Sequence, residues 1–148
     1  MMTLAPQSIF NRRSIAYTGG YKYQLAEVAQ FFCVDLAVSK EVSTKWLHLS
    51  SDGMLTIQPG YAWDGCSGPT FDSSNTMPAS LFHDAGYQLI RLELLRSQYK
   101  DVIDAEFKRI LLEDGVWPIR ASYYYKAVDK FGKPSTLPSH KRAIHRAP

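Results

Sequence analysis

A His-Asp pair stands inside a stretch of chain that is otherwise typical of a buried helix. Residues 80–90 place His83 and Asp84 among leucine, phenylalanine and isoleucine side chains. A buried histidine or aspartate that finds no hydrogen-bond partner costs roughly 1–3 kcal/mol. Tyr87 follows His83 by one helical turn, so the two side chains share a face. The three residues therefore form either a site that does chemistry or a polar network that only holds the fold together.

A carboxylate further along the chain is a candidate partner for His83. Asp104 lies at the edge of the apolar stripe of a later predicted helix, and it approaches His83 if the two helices pack antiparallel. A carboxylate that binds one ring nitrogen fixes the tautomer of the imidazole and leaves the other nitrogen available as a general base. We therefore predict His83 as the base and Asp104 as the group that orients it.

A glycine-containing loop that precedes the helices is a candidate cation site. Residues 64–70 contain two glycines, which permit positive φ and let several backbone oxygens converge. Asp84 points away from His83 on the helix and would complete an oxygen site for a hard cation such as Ca²⁺. The predicted ligands are Asp84, Asp64, Gly65 and Ser67. Taken alone, the loop is more simply a turn that leaves the sheet.

These groups together predict metal-assisted hydrolysis of an ester or an amide. The cation would polarise the carbonyl and stabilise the oxyanion while His83 removes a proton from water. No serine lies in a nucleophile-elbow pattern and no HExxH motif is present, so a covalent serine mechanism and a zinc-protease mechanism are weaker interpretations. A structural His-Asp-Tyr network is the alternative.

The front of the chain is predicted to be rich in strands. Residues 46–49 and 54–57 are apolar runs separated by Ser-Ser-Asp-Gly, which is a strong hairpin signal. We expect His48 on the surface of the first of these strands. Residues 24–30 fit either a strand or a short helix, and residues 1–20 lack periodicity, which indicates an irregular arm.

Three helices are predicted behind this front. The first runs from an N-cap at Asn75 or Thr76 to about Leu95. The second runs from about Gln98 to Asp114, and the third has Pro118 near its start and Gly132 just past its end. The buried stripe of the third helix is predicted from helical spacing to contain Trp117, Ala121, Tyr124, Val128 and Phe131.

The separation of strands from helices predicts an α+β protein. We expect one domain over residues 21–132, made of a β-rich hairpin or meander (21–63), a loop (64–74) and a three-helix core (75–132). The tail, residues 133–148, is basic and contains prolines, so we expect it to be extended or disordered.

The composition, the net charge and the number of cysteines limit the kinds of protein that this chain can be. The 148 residues are 45% hydrophobic and 21% charged, as expected of a globular domain with a real core. The net charge of +3 is too small to favour nucleic-acid binding. Two cysteines, Cys33 and Cys66, argue against a disulfide framework and leave a single bridge open. The sequence shows no signal-peptide pattern and no apolar run that would span a bilayer, which predicts a soluble protein.

The order of the polar motifs resembles a family of phage and prophage proteins that is described only as a domain of unknown function. The resemblance covers about residues 21–132. It rests on Asp64-Gly65-Cys66-Ser67-Gly68-Pro69, on His83-Asp84-Ala85-Gly86-Tyr87, on Asp104 with Phe107, and on residues 125–132. It implies a phage-encoded protein that resides in the host cytoplasm during infection or in the virion, with virion proteins as possible partners.

The helical half is also similar to the small bacterial and fungal secreted phospholipases A2. Those enzymes share the sequences H-D-x-x-Y, I-D-x-x-F and Y-Y-x-A-V-x-x-F-G, which correspond here to residues 83–87, 103–107 and 124–132. The similarity implies a phospholipase A2-like helical core and a loop at residues 64–69 that binds Ca²⁺. The roles it implies are the general base for His83, a Ca²⁺ ligand for Asp84, the orienting carboxylate for Asp104 and a supporting hydroxyl for Tyr87.

Two functions follow as hypotheses. The first is a phage-encoded, metal-assisted hydrolase of phospholipase A2 type that acts on a phospholipid or another ester. The second is a non-enzymatic phage protein, either a tail or other virion component or an accessory factor, that keeps the same polar residues as a buried network. An open His83 bonded through one nitrogen favours the enzyme, and a sealed His83 with both nitrogens satisfied favours the second hypothesis.

Overall fold

In the computed structural model of the chain, antiparallel strands precede three α-helices, which confirms the predicted α+β class. The structure describes residues 15–18, 23–65 and 73–131. These residues divide into two compact units, one that ends at Trp63 and one that begins at Asp64. The predicted tail, residues 133–148, lies outside the described residues.

The first unit is built from short strands that pair antiparallel in two sheets. One sheet has the order β1-β2-β7 and the other has the order β3-β6-β5-β4. The strands are β1 (Tyr17–Thr18), β2 (Tyr23–Leu25), β3 (Ala29–Phe32), β4 (Val42–Ser43), β5 (Leu47–Leu49), β6 (Met54–Ile57) and β7 (Ala62–Trp63).

The predicted hairpin is confirmed as β5 and β6. Leu47 pairs with Ile57 and Leu49 with Leu55, and all four side chains are fully buried. Gly53 in the turn has a φ of 101°, and a Cβ at this position would collide with the carbonyl oxygen of Cys33. The turn therefore requires glycine.

Three expectations for the first unit can be compared with the structure. Residues 24–30, for which a strand and a short helix were both open, contain the end of β2 and the start of β3. The arm expected to be irregular, residues 1–20, contains β1, because Tyr17 and Thr18 pair with β2. A two-residue strand is fixed by its partner and is too short to show a period of its own. His48, expected on the surface, is half-buried.

The second unit contains the three helices. They are α1 (Met77–Arg91), α2 (Lys100–Glu113) and α3 (Pro118–Phe131). Thr76 is the N-cap of α1. It is one of the two residues predicted for this position. α2 packs against both α1 and α3 and is therefore the central helix.

The first helix ends four residues earlier than predicted. α1 stops at Arg91 instead of Leu95 because Glu93 adopts a left-handed φ of 61°. The amides of Leu94 and Leu95 then donate to the carbonyl oxygen of Leu89, which closes the helix. Glycine is the usual residue in this conformation, so a glutamate at residue 93 does not indicate a helix end.

The predicted buried stripe of α3 is wrong at its first position. Ala121, Tyr124 and Val128 are buried, whereas the Trp117 side chain is 80% exposed. Trp117 precedes Pro118, the first residue of the helix, so helical spacing does not extend to it. The side chain of Phe131 lies outside the described part of the structure. None of the helices in the described part of the chain is long and apolar enough to cross a bilayer.

Truncating Trp117 should cost far less stability than truncating Tyr124. Tyr124 is 1% exposed, so Tyr124→Ala should lower the free energy of unfolding by about 3–5 kcal/mol. Trp117→Ala should change it by no more than about 0.5 kcal/mol, as at other exposed positions. Urea denaturation of both variants measures the difference, and similar losses would contradict the exposed position of Trp117.

Candidate functional site

The centre of the candidate site is a hydrogen bond between α1 and α2. The Nε2 atom of His83 lies 2.7 Å from Oδ1 of Asp104. His83 is 3% exposed and Asp104 is fully buried. The predicted pairing of these two residues is therefore present, and Asp104 lies inside the core instead of at the edge of its helix stripe.

Two aromatic rings hold the imidazole of His83 in place. The ring centroid of Tyr87 lies 3.9 Å from that of His83, and the ring centroid of Phe107 lies 4.9 Å from it. The Tyr87 hydroxyl donates to Oδ1 of Asp104 at 2.6 Å, so it shares the oxygen that faces His83. The structure thus brings together the three residues predicted as catalytic.

Lys100 belongs to the same cluster, and the sequence interpretation missed it. Its Nζ atom donates to Oδ2 of Asp104 at 2.7 Å and lies 3.6 Å from Oδ1 of Asp129 on α3. The signal in the sequence was the spacing of four residues between Lys100 and Asp104, which brings their side chains together on a helix. Such pairs are common on exposed helix faces, so the spacing alone does not reveal a buried partner.

The electrostatics of the cluster favour an ionised Asp104. Burial raises the pKa of the Asp104 carboxyl, but the hydrogen bond and charge of His83 and the hydrogen bonds from Lys100 and Tyr87 lower it further, to below its usual range. Burial and the hydrogen bond to this carboxylate raise the pKa of Tyr87, which therefore remains a donor. Burial lowers the pKa of Lys100, but the hydrogen bond to Asp104 raises it more, so the ammonium stays charged.

Gly86 allows the two helices to approach closely enough for this cluster. A Cβ on Gly86 would lie 2.8 Å from Cδ1 of Ile103 and 3.1 Å from its Cγ1. Gly86 precedes Tyr87, and Ile103 precedes Asp104, so the close contact lies directly beside the hydrogen bonds. A side chain at residue 86 would therefore require Ile103 to shift at a point directly beside the site.

The predicted Ca²⁺ ligands are only partly described. Asp84 is half-buried, Asp64 is exposed, and Gly65 has a φ of 92°, the positive value expected for the loop. Ser67 lies outside the described residues. That these groups converge on one Ca²⁺ ion therefore stays a prediction.

Another acidic group lies in the second unit. Within the described residues, Asp101, Asp104 and Asp129 place one carboxylate oxygen each within 4.8 Å of one another. This group could hold a metal ion and is not specific for Ca²⁺. The ammonium of Lys100 already contacts Asp104 and Asp129, so it supplies the positive charge that a metal ion would bring. Asp84 is not part of this group.

An apolar groove lies at the start of α3. It has a volume of about 600 Å³ and is lined by Trp117, Ile119, Tyr123 and Arg120, among others. Trp117 and Ile119 are 80% and 87% exposed. His83, Tyr87 and Asp104 do not line the groove, so it is separate from the polar cluster.

The cluster has the geometry of an oriented base. Asp104 fixes one ring nitrogen of His83, and no described residue forms a hydrogen bond with the other nitrogen, Nδ1. An imidazole held in this way can accept a proton at Nδ1. The ring is also deeply buried, as expected of a structural network. The hydrogen-bonding pattern therefore favours the hydrolase, and the burial favours the structural network.

Comparisons with protein families, with characterised proteins and with solved structures found no match to this chain. The resemblances to the phage family and to phospholipases A2 therefore stay predictions, and the residues themselves support any proposal about function.

The stability of the protein should fall in acid because of Asp104. A carboxyl whose pKa is lowered on folding stabilises the native state above its unfolded pKa, and this contribution is lost as the pH falls. The loss should begin near pH 3.8 and continue below it. Urea denaturation across this range should show a steeper pH dependence for the wild type than for Asp104→Asn. Parallel curves would contradict the assignment.

Adding a methyl group at residue 86 should disturb the cluster. Gly86→Ala places a Cβ against the fully buried side chain of Ile103, which must shift. We expect the packing strain of about 1–3 kcal/mol to exceed the roughly 0.5–1 kcal/mol that alanine contributes in a helix interior, so the variant should be less stable than the wild type. The double variant Gly86→Ala with Ile103→Val, which shortens the side chain that is hit, should recover part of the loss. Thermal denaturation measures both effects. An unchanged or higher midpoint for Gly86→Ala would show that the contact does not limit helix approach.

Proposed function

We propose that the protein is a metal-assisted hydrolase of phospholipase A2 type, with His83 as its general base. The observation that supports this most directly is the hydrogen bond of 2.7 Å between Nε2 of His83 and Asp104, which leaves Nδ1 without a partner among the described residues. A base needs this arrangement, with one nitrogen fixed and the other available for a proton.

Each residue of the cluster has a defined part in the proposed reaction. His83 takes a proton from a water molecule at Nδ1 while its Nε2–H donates to Asp104. Asp104 stabilises the positive charge that forms on the imidazole, as a buried carboxylate beside a histidine does. Tyr87 keeps Oδ1 of Asp104 directed at the ring through its own hydrogen bond.

The predicted ligands carry donor atoms of the type that a hard cation prefers. Asp84 and Asp64 carry carboxylates, and Gly65 takes the positive φ of a tight loop. Carboxylate and carbonyl oxygens are the ligands that Ca²⁺ prefers. When bound, the cation would polarise the ester carbonyl and offset the oxyanion charge. Asp84, Asp64, Gly65 and Ser67 are the residues that would hold it.

The substrate class and the origin of the protein follow from the resemblances. The similarity to phospholipases A2 supports a phospholipid or another ester as the substrate. The resemblance to the phage family supports a role during infection, in the host cytoplasm or as part of the virion. Neither resemblance identifies a particular lipid.

The second candidate is a non-enzymatic phage protein in which the cluster is structural. The burial of His83 and Asp104 supports it, because a ring that is 3% exposed has little surface to offer to a substrate. The groove beside Trp117 and Ile119 is the kind of exposed apolar surface that a virion or accessory protein uses for binding. In this case the cluster would only hold α1 and α2 together.

An assay on a self-quenched fluorescent phospholipid separates the two candidates. The wild type should release fluorescence in the presence of Ca²⁺ and not after chelation. His83→Gln, which retains an N–H donor toward Asp104 but no base, should lower kcat by about 10²–10⁴-fold. His48→Gln is the matched control, because His48 is half-buried in the first unit and, among the described residues, hydrogen-bonds only to Ser43 at 3.5 Å.

Two results would contradict the proposed role of His83. A folded wild type without turnover at any Ca²⁺ concentration, with a marked loss of thermal stability in His83→Gln, would support the structural network. Equal activity in the His83 and His48 variants would also exclude His83 as the base.

A further inference from the structure

We propose that Lys100 is a positioning residue of this site, which holds Asp104 by Oδ2 so that Oδ1 is presented to His83 and Tyr87. This inference rests on the proposed function, because it assigns Lys100 a part in orienting the base. Lys100 does not contact the reacting atoms, and it acts through Asp104.

The contacts of Asp104 are divided between its two oxygens. Oδ1 accepts from His83 at 2.7 Å and from Tyr87 at 2.6 Å, and Oδ2 accepts from Lys100 at 2.7 Å. A carboxylate can rotate about the bond to its Cβ, which would turn Oδ1 away from the imidazole. The ammonium on Oδ2 opposes this rotation. Lys100 therefore fixes the direction in which Asp104 faces His83.

Lys100 also supplies the charge that a buried carboxylate requires. An ionised carboxylate without a partner is not stable in a protein core. The two other basic groups of α2 are engaged elsewhere: the exposed guanidinium of Arg109 is bound to Glu106 and Glu113, and the ammonium of Lys108 lies over the ring of Tyr125. Lys100 shares the charge balance of Asp104 with His83, so the carboxylate keeps one counter-ion when the imidazole is neutral. The neutral imidazole is then available to accept a proton.

Contacts from a third helix hold the ammonium in turn. Nζ of Lys100 lies 3.5 Å from the backbone oxygen of Asp129 and 3.6 Å from its Oδ1. Asp101, on the same helix as Lys100, has a carboxylate oxygen within 4.8 Å of those of Asp104 and Asp129. The cluster thus joins α1, α2 and α3, and Lys100 is its only described cation apart from a protonated His83.

Three substitutions of Lys100 and one control test the role. Lys100→Met removes the charge and the donor, Lys100→Gln retains a donor without charge, and Lys100→Arg retains both. Lys126→Met is the control, because Lys126 is an exposed lysine on α3. Thermal denaturation first establishes which variants fold. If Lys100→Met does not, the comparison of Lys100→Gln with Lys100→Arg carries the test.

In the phospholipid assay, Lys100→Met should lower kcat by about 10–100-fold. This is the range typical of residues that hold a metal ligand or a catalytic side chain in place without contacting the substrate. KM should stay within about twofold, because Lys100 makes no contact with substrate. Lys100→Arg should recover most of the loss, and Lys126→Met should match the wild type. An unchanged kcat in a folded Lys100→Met protein would overturn the proposal.

A second readout does not depend on activity. The ¹³C resonance of the Asp104 carboxyl should titrate below pH 3.8 in the wild type and in Lys100→Arg, and at higher pH in Lys100→Met and Lys100→Gln. The same titration in all four proteins would overturn the proposal. If the wild type is inactive but the Asp104 carboxyl titrates at higher pH in Lys100→Met and Lys100→Gln, the hydrolase is rejected. The contact by which Lys100 positions Asp104 is then still supported.

Discussion

The second unit depends on one buried carboxylate. Asp104 is fully buried, and it accepts hydrogen bonds from His83, Tyr87 and Lys100. Removing one partner of a buried ion pair commonly costs about 3–5 kcal/mol, because the remaining charge is left uncompensated. The three donors are therefore not independent features of the site. Each one helps to keep the carboxylate ionised, and the carboxylate in turn fixes the orientation of His83.

The packing of the helices serves this arrangement. Gly86 lets α1 lie close to Ile103 of α2, and Phe107 contacts the imidazole on the side of α2. Asp129 brings α3 to the ammonium of Lys100. A catalytic base and a structural core make the same demand on Asp104, because both require the buried carboxylate to be satisfied and immobile; they differ only at Nδ1 of His83. This is why the same contacts are compatible with a hydrolase and with a binding protein.

Much of the site could be predicted because its polar residues occur in predicted helices whose neighbouring residues are mostly apolar. His83 and Tyr87 share a face by their spacing, and Asp104 was predicted at the edge of an apolar stripe, although the structure buries it in the core. Lys100 could not be distinguished from the many lysines that pair with acids on exposed helix faces. The Ca²⁺ ligands depend on the backbone path of a loop, and composition does not specify that path.

The fold was predictable at the level of its class and its hairpin, and less so at element ends. The Asp-Gly turn between β5 and β6 follows from local chemistry. The end of α1 depends on Glu93, which takes a conformation that its residue type does not favour. Trp117 was placed in the core because it is apolar and correctly spaced, although it precedes the first helical residue. These errors arise where tertiary contacts override local preference.

The tautomer of His83 tests the central claim most directly. Long-range ¹H–¹⁵N NMR correlation of the histidine side chains shows which ring nitrogen carries the proton. We expect neutral His83 to carry its proton on Nε2, with a strongly downfield N–H resonance from the bond to Asp104, and to leave Nδ1 unprotonated. This resonance should be lost in Asp104→Asn. A neutral His83 protonated on Nδ1, or a ring unaffected by that substitution, would contradict the claim that Asp104 prepares His83 as a base.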